Sequence, residues 1–194
     1  MSRDFSAPQY ALVTYVRNEL GGFVEGLRRE LHPAHAHLPT HLTVLPPRPL
    51  QNGSEQDAVK MLHDLAAKVS PFFVDLDKVE SFLPSTPTVF IRVSWAGYRI
   101  RELHDLLNRV PLEYQEPLPY MPHVTVAKLD DNERAAEVLR VSRVRWENYR
   151  GSHRIEVERL TFVRGGGHNW TDLAEVTLSG PPSLTVDRTH THPI

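Results

Sequence analysis

The chain of 194 residues contains no cysteine. That excludes a disulfide scaffold, a thiolate metal site and a cysteine nucleophile, and it fits a reducing compartment. Long apolar runs are missing too: nothing approaches the roughly 20 residues that a membrane-spanning helix needs. The opening decapeptide MSRDFSAPQY lacks the apolar stretch of a secretory signal. The expectation is a cytoplasmic protein with no membrane partner. There is no excess of positive charge. Lys and Arg number 22 against 24 Asp and Glu, for a net charge of −2. Such a balance argues against a tight nonspecific grip on long nucleic acid. A small phosphate ester or an RNA end needs only local donors and stays open.

The composition is that of a soluble globular protein, 40% hydrophobic and 24% charged. The length suits one domain, or two small lobes sharing a core. Residues 1–179 are expected to form a single bilobal domain. The polar, Pro-containing stretch 180–194 is expected to be a mobile tail.

Periodicity predicts the elements. YALVTYV (10–16) reads as a strand. Leu20, Phe23, Val24, Leu27 and Leu31 recur at helical spacing over 18–31. HPAHAHLPT (32–40) reads as a loop and HLTVL (41–45) as a short strand stopped by PPRP. A helix follows over 55–69, capped by Ser54. Strands are expected at 72–82 and 88–94, a helix at 98–110 and a Pro-flanked strand within 116–129. A helix at 131–146, capped by Asp130 or Asp131, precedes strands at 153–165 and 170–178. Several strand pairs lie too close in sequence for helical crossovers, so antiparallel pairing and an α+β class are expected. A strand–helix–HxT strand–helix–strand pair order occurs about twice, once over 10–94 and again from 98.

In an extended chain, side chains at i and i+2 share a face. His41 and Thr43 therefore face one way, and Leu42 and Val44 the other. The pattern returns 82 residues later as His123-Val124-Thr125-Val126-Ala127. Composition alone yields roughly 0.7 such triplets by chance, so the strings mean little. Their context means more. Each interrupts a strand on one parity only, follows a proline-containing loop and precedes a helix. The bland alternative is a histidine at a sheet edge beside a threonine that favours strands anyway.

The two HxT motifs, the second preceded by Pro122 and followed by Ala127-Lys128, resemble the 2H phosphoesterase superfamily in its 2′-5′ RNA ligase-like (LigT) branch. The resemblance covers about residues 10–178. It implies two pseudo-symmetric lobes, each an antiparallel sheet with outer helices, flanking a central groove lined by one HxT strand from each lobe. It also implies that His41, Thr43, His123 and Thr125 are the catalytic tetrad. The implied reaction uses no metal and no cofactor. It opens a 2′,3′-cyclic phosphate, or cleaves or forms a 2′-5′ linkage, on RNA ends or small nucleotides. By the same resemblance the second-motif imidazole activates water and the first protonates the leaving oxygen. Thr40 departs from members that carry proline there, which affects the loop rather than the chemistry. A monomer is expected.

Two imidazoles suit an in-line displacement at phosphorus, which needs a base on one side and an acid on the other near neutral pH. A hydroxyl beside each can donate to a non-bridging oxygen as charge builds there. Lys128 is a candidate phosphate contact, provided that the strand ends or bulges near Ala127. Arg92 and Phe90, on one parity of 88–94, are candidates for phosphate and base contacts, as is Tyr120 for stacking. Core or surface roles are the alternatives for each. The clustered histidines His32, His35 and His37, with His190 and His192, raise a histidine-rich metal-binding protein as one rival. A nucleotide or RNA-end binding module without turnover is the other. RGGGHN (164–169) lacks the Lys-Ser/Thr of a P-loop and reads as a flexible hairpin, with His168 a candidate to border the groove. The arginines of 131–146 read as a solvated face first and an RNA-approach surface second.

Overall fold

The computed structural model describes residues 8–94, 97–166 and 169–181. In chain order the elements are β1 (Tyr10–Tyr15), α1 (Glu19–Leu31), β2 (His41–Arg48), α2 (Glu55–Ala66), β3 (Phe72–Ser81) and β4 (Thr88–Val93). Then follow α3 (Tyr98–Leu107), β5 (His123–Lys128), α4 (Asn132–Asn148), β6 (Arg154–Val157), β7 (Arg159–Gly166) and β8 (Asn169–Thr177). The strands form two four-stranded sheets, ordered β2-β1-β7-β8 and β5-β4-β3-β6. The pairings β1–β2, β1–β7, β7–β8, β3–β4, β3–β6 and β4–β5 are all antiparallel. The fold is α+β, as the interleaving of close strand pairs predicts.

Local chemistry sets the helix starts. Ser54 accepts from the Asp57 N–H while the Asp57 carboxylate accepts from the Ser54 N–H, a complete capping box at the head of α2. Asn18 caps α1 and Asp131 caps α4. Gly21 lets α1 pass close to the end of β1: a Cβ there would lie 1.8 Å from the Val16 carbonyl oxygen. The buried stripe Leu20, Val24, Leu27 and Leu31 joins one continuous core with residues of both sheets.

The two halves correspond as β1-α1-β2 and β4-α3-β5, so each HxT strand closes a strand–helix–strand unit. The helices are exchanged: α1 packs against β5, and α3 against β2. The repeat is therefore placed differently from the sequence expectation. Thr88–Val93 opens the second unit rather than ending the first. The segment 153–165 is two strands rather than one. The chain changes sheet at Glu158, with β6 pairing to β3 and β7 to β1. HLTVL also runs on, because β2 continues through Pro46 and Pro47 to Arg48. Proline cannot donate to a ladder, but β2 is an edge strand, where the lost donor costs little. Helices α2 and α3 stop about three residues short of expectation, at Ala66 and Leu107.

Ser179 N–H donates to Ala66 O at 3.1 Å and Gly180 N–H to Val69 O at 3.0 Å, so residues 179 and 180 dock on the end of α2. Residues 182–194, with His190 and His192, lie outside the described residues. Among the described residues no helix is long and apolar enough to cross a membrane.

Candidate active site

The edge strands β2 and β5 lie against each other where the two sheets meet. Both begin at the motif histidine. Along each, His and Thr are partly exposed, and the three aliphatic positions (Leu42, Val44, Leu45; Val124, Val126, Ala127) are buried. Two adjacent buried residues break strict alternation in both strands, and the register shows why. Thr43 lies opposite Val13 and Leu45 opposite Leu12, so Val44 is an extra residue. Thr125 lies opposite Phe90 and Ala127 opposite Val89, so Val126 is an extra residue. Each motif is thus followed by a β-bulge at the same place, a device that re-aims the following side chains.

The imidazoles are held alike. His41 Nδ1 is 2.7 Å from Pro39 O, and His123 Nδ1 is 2.7 Å from Met121 O. A carbonyl oxygen only accepts, so Nδ1 carries the proton and Nε2 is the ring nitrogen left with a lone pair. Trp170 lies beside His41, with ring centroids 4.8 Å apart. Phe90 and Phe82 flank His123 at 5.0 and 5.2 Å. No hydrogen-bond partner meets either motif threonine hydroxyl among the described residues, so both are available to a ligand on the histidine side.

Both rings are hard to charge. Burial, the charge of Arg28 and the charge of His123 pull the His41 imidazole down to about 4, against the opposing pull of Pro39 O. Burial also holds His123 below the ordinary histidine value, opposed by Met121 O. The effect of His123 on His41 places the two rings in one electrostatic environment.

The other candidates separate into three situations. Lys128 is exposed and has no charged partner among the described residues; the bulge at Val126 returns it to the parity of His123. Arg92 lies opposite His123 in register, but Asp77 at 2.8 Å and Glu80 at 3.5 Å already engage its guanidinium. Phe90 and Tyr120 are not open stacking surfaces. Phe90 is 1% exposed, covered by Phe82 and His123. Tyr120 stacks on His104 with centroids 4.2 Å apart and donates its hydroxyl to Thr43 O at 2.6 Å. His168 lies outside the described residues, while Arg164, Gly165 and Gly166 of β7 pair with Thr171, Trp170 and Asn169 of β8. Gly165 there has φ 144°, a conformation that glycine alone adopts readily. Among the described residues no three His, Asp or Glu side chains converge as a metal site.

Sequence reasoning passed over Arg28 and Trp170. Arg28 is 3% exposed and donates through Nε and Nη2 to Thr125 O, and through Nη1 to Leu38 O. A signal existed: Leu20, Val24 and Arg28 fall at i, i+4 and i+8, the apolar stripe of α1. Nothing local marks Trp170, which lies beside His41 although β8 and β2 are opposite edges of one sheet.

The chain resembles proteins named as candidate phosphoesterases. One from Bacillus pumilus is 30% identical over 126 residues, 64% of this chain and 73% of its own length. One from Bacillus licheniformis is 26% identical over 156 residues, 80% of this chain and 89% of its own. Among solved structures, Escherichia coli LigT with bound phosphate shares the fold at 18% identity, with a TM-score of 0.56 over 90% of this chain and 99% of that one. A Thermus thermophilus protein does so at 18% identity and a TM-score of 0.59, over 89% and 98%. The sequence profile of the 2′-5′ RNA ligase superfamily matches residues 16–169, most of the chain and both HxT strands. The chain belongs to the 2′-5′ RNA ligase superfamily.

Proposed function

We propose that this protein is a phosphodiesterase that opens 2′,3′-cyclic phosphates, or cleaves 2′-5′ linkages, of RNA ends or small nucleotides by acid–base catalysis between His41 and His123. The observation that carries the reading is the duplicate setting of the two rings. Each presents a bare Nε2 and each has an unengaged threonine hydroxyl on its own face.

Water attacks phosphorus in line with the leaving ribose oxygen. One imidazole takes the water proton as the P–O bond forms. The other gives its proton to the ribose oxygen as that P–O bond breaks. One water is consumed, and a phosphate monoester with a free neighbouring hydroxyl results. The resemblance makes His123 the base and His41 the acid. An imidazolium at His41 is a strong proton donor in this setting, because burial and Arg28 disfavour its charge. A bound phosphate anion supplies the opposite charge that loads it. Thr43 and Thr125 hydroxyls donate to the non-bridging oxygens, and Lys128 adds a cation at the rim.

The family name and the names of the relatives support phosphoester chemistry. E. coli LigT structures with phosphate and with 3′-AMP support a nucleotide-sized ligand. The test offers 2′,3′-cyclic mononucleotides, a cyclic-phosphate oligonucleotide, a 2′-5′ dinucleotide and a 3′-5′ dinucleotide to the wild-type protein, with products resolved by chromatography. Turnover of a cyclic or 2′-5′ substrate with the 3′-5′ dinucleotide left intact is expected. Saturable binding without product for all four would replace the enzyme by a binding module.

A further inference from the structure

We propose that Arg28 and Tyr120 are positioning residues that cross-brace the two HxT strands, each reaching from one half of the molecule to the main-chain carbonyl of the other half's motif threonine. The inference rests on the proposed activity for its kinetic readout and on geometry for everything else.

The geometry is reciprocal. Arg28 belongs to α1, in the unit that ends in β2, and donates from Nε at 3.1 Å and Nη2 at 2.6 Å to Thr125 O on β5. Tyr120 precedes β5 in the other unit and donates to Thr43 O on β2 at 2.6 Å. Both acceptors lie at the residue before the bulge, where the ladder is interrupted. A carbonyl at such a break is fixed less by its own sheet, so a side chain from outside decides where it sits. The exchanged packing of α1 on β5 and α3 on β2 delivers the two donors.

Arg28 also holds the first motif. Its Nη1 donates to Leu38 O at 2.8 Å, one residue before the Pro39 carbonyl that orients His41. One planar fork thereby ties the approach to His41 to the carbonyl of Thr125. A lysine could not span both, since its ammonium is a point donor. Arg28 is buried and no carboxylate lies within ion-pair distance among the described residues; Glu25, the nearby acid, accepts from Thr40 N–H instead. The guanidinium stays charged at neutral pH, since burial lowers it only to about 10. Retaining a buried cation matched only by carbonyls is costly, and its charge falls on His41.

Tyr120 is seated by a second network. Its ring stacks on His104, whose Nε2 is 2.9 Å from a Glu116 oxygen, and Glu116 also pairs with the fully buried Arg48 of β2. The loop carrying Tyr120 is thus anchored to the far end of the strand that its hydroxyl braces. Around His41 the titratable and charged groups are Arg28 and Glu25 from α1, His123 from β5, and Tyr15 opposite it on β1, whose hydroxyl is engaged by Asp172 of β8.

The test compares Tyr120→Phe, Arg28→Lys and Arg28→Met with the wild type, with His41→Ala and His123→Ala as activity controls and thermal melting as the check on folding. A 2′,3′-cyclic mononucleotide is the substrate. Tyr120→Phe and Arg28→Lys are expected to lose about tenfold or more in kcat with KM within about twofold, since small misplacements of reacting groups act on the transition state. Imidazole NMR titrations, which need no turnover, are expected to show His41 titrating at higher pH in Arg28→Met and near its wild-type pH in Arg28→Lys. If Arg28→Met does not fold, Tyr120→Phe and Arg28→Lys decide by the split between kcat and KM. Folded variants with unchanged kcat, or an unmoved His41 titration in Arg28→Met, would overturn the proposal. Inactive wild-type protein would remove the proposed activity instead and leave the NMR comparison standing.

Discussion

His41 and His123 are held as copies of each other: in each ring Nδ1 lies 2.7 Å from the carbonyl of the residue two before it, Pro39 or Met121. The loops that supply these carbonyls differ in sequence and length, yet the tautomer and the exposed nitrogen come out the same. Duplicate orientation is what in-line chemistry requires of a base and an acid that exchange roles between the forward and reverse reactions.

The threonine hydroxyls have no protein partner among the described residues, so their removal should leave the fold intact and be felt in the transition state. Thr43→Val and Thr125→Val are each expected to lower kcat by about 10²-fold, the lower range for one oxyanion donor. Melting temperatures should stay close to the wild type. Steady-state kinetics and thermal scans on the same preparations check both halves of this expectation.

The pH dependence follows from two depressed imidazoles. A productive enzyme has one ring protonated and one neutral. In the free protein His41 titrates at about 4 and His123 below its ordinary value. Above about 6.5 both are neutral, and the protonated acid becomes scarcer with each further pH unit. As the pH falls through the lowered His123 value, the base is protonated in its turn. The pH profile of kcat/KM is therefore expected to peak on the acid side of 6.5. A maximum above pH 7.5 would contradict the assignment of both rings to the reaction.

Arg48 makes a prediction about stability rather than rate. Its side chain is fully buried and pairs with Glu116, with Asn108 Oδ1 at 2.8 Å and with Pro46 O at 2.8 Å. Arg48→Ala leaves the mostly buried Glu116 carboxylate without its cation. The expected loss is about 3–5 kcal/mol, read from the urea midpoint. The double change Arg48→Met with Glu116→Gln should cost less than Arg48→Ala alone, because it buries no unmatched charge.

Much of the fold is written in side-chain periodicity. The parity of His41 and Thr43 against Leu42 and Val44 is visible in HLTVL, and Ser54 marks the start of α2. What escapes is whatever depends on a partner strand. The bulges at Val44 and Val126 exist only as mismatches of register, although the need for one near Ala127 follows from the wish to bring Lys128 round. The run through Pro46 and Pro47 is tolerated because β2 has a free edge, which no local pattern reveals. In sequence Phe90 and Tyr120 are candidates for base contacts, with core packing as the alternative. In the structure Phe82 covers the first, and His104 with Thr43 engages the second. Arg28 was hidden by its type, since a charged residue on an apolar stripe is normally assigned to solvent.

The central claim is that two imidazoles, 82 residues apart in the chain, act on one phosphorus. The direct measurement is hydrolysis of a 2′,3′-cyclic mononucleotide in EDTA by the wild type, His41→Ala, His123→Ala and the double variant. Each single change is predicted to cost about 10²–10⁴-fold in kcat. The double variant should fall little further, as expected of groups that act as a unit. Undiminished turnover in either single variant, or activity in the wild type that EDTA abolishes and added metal restores, would contradict it.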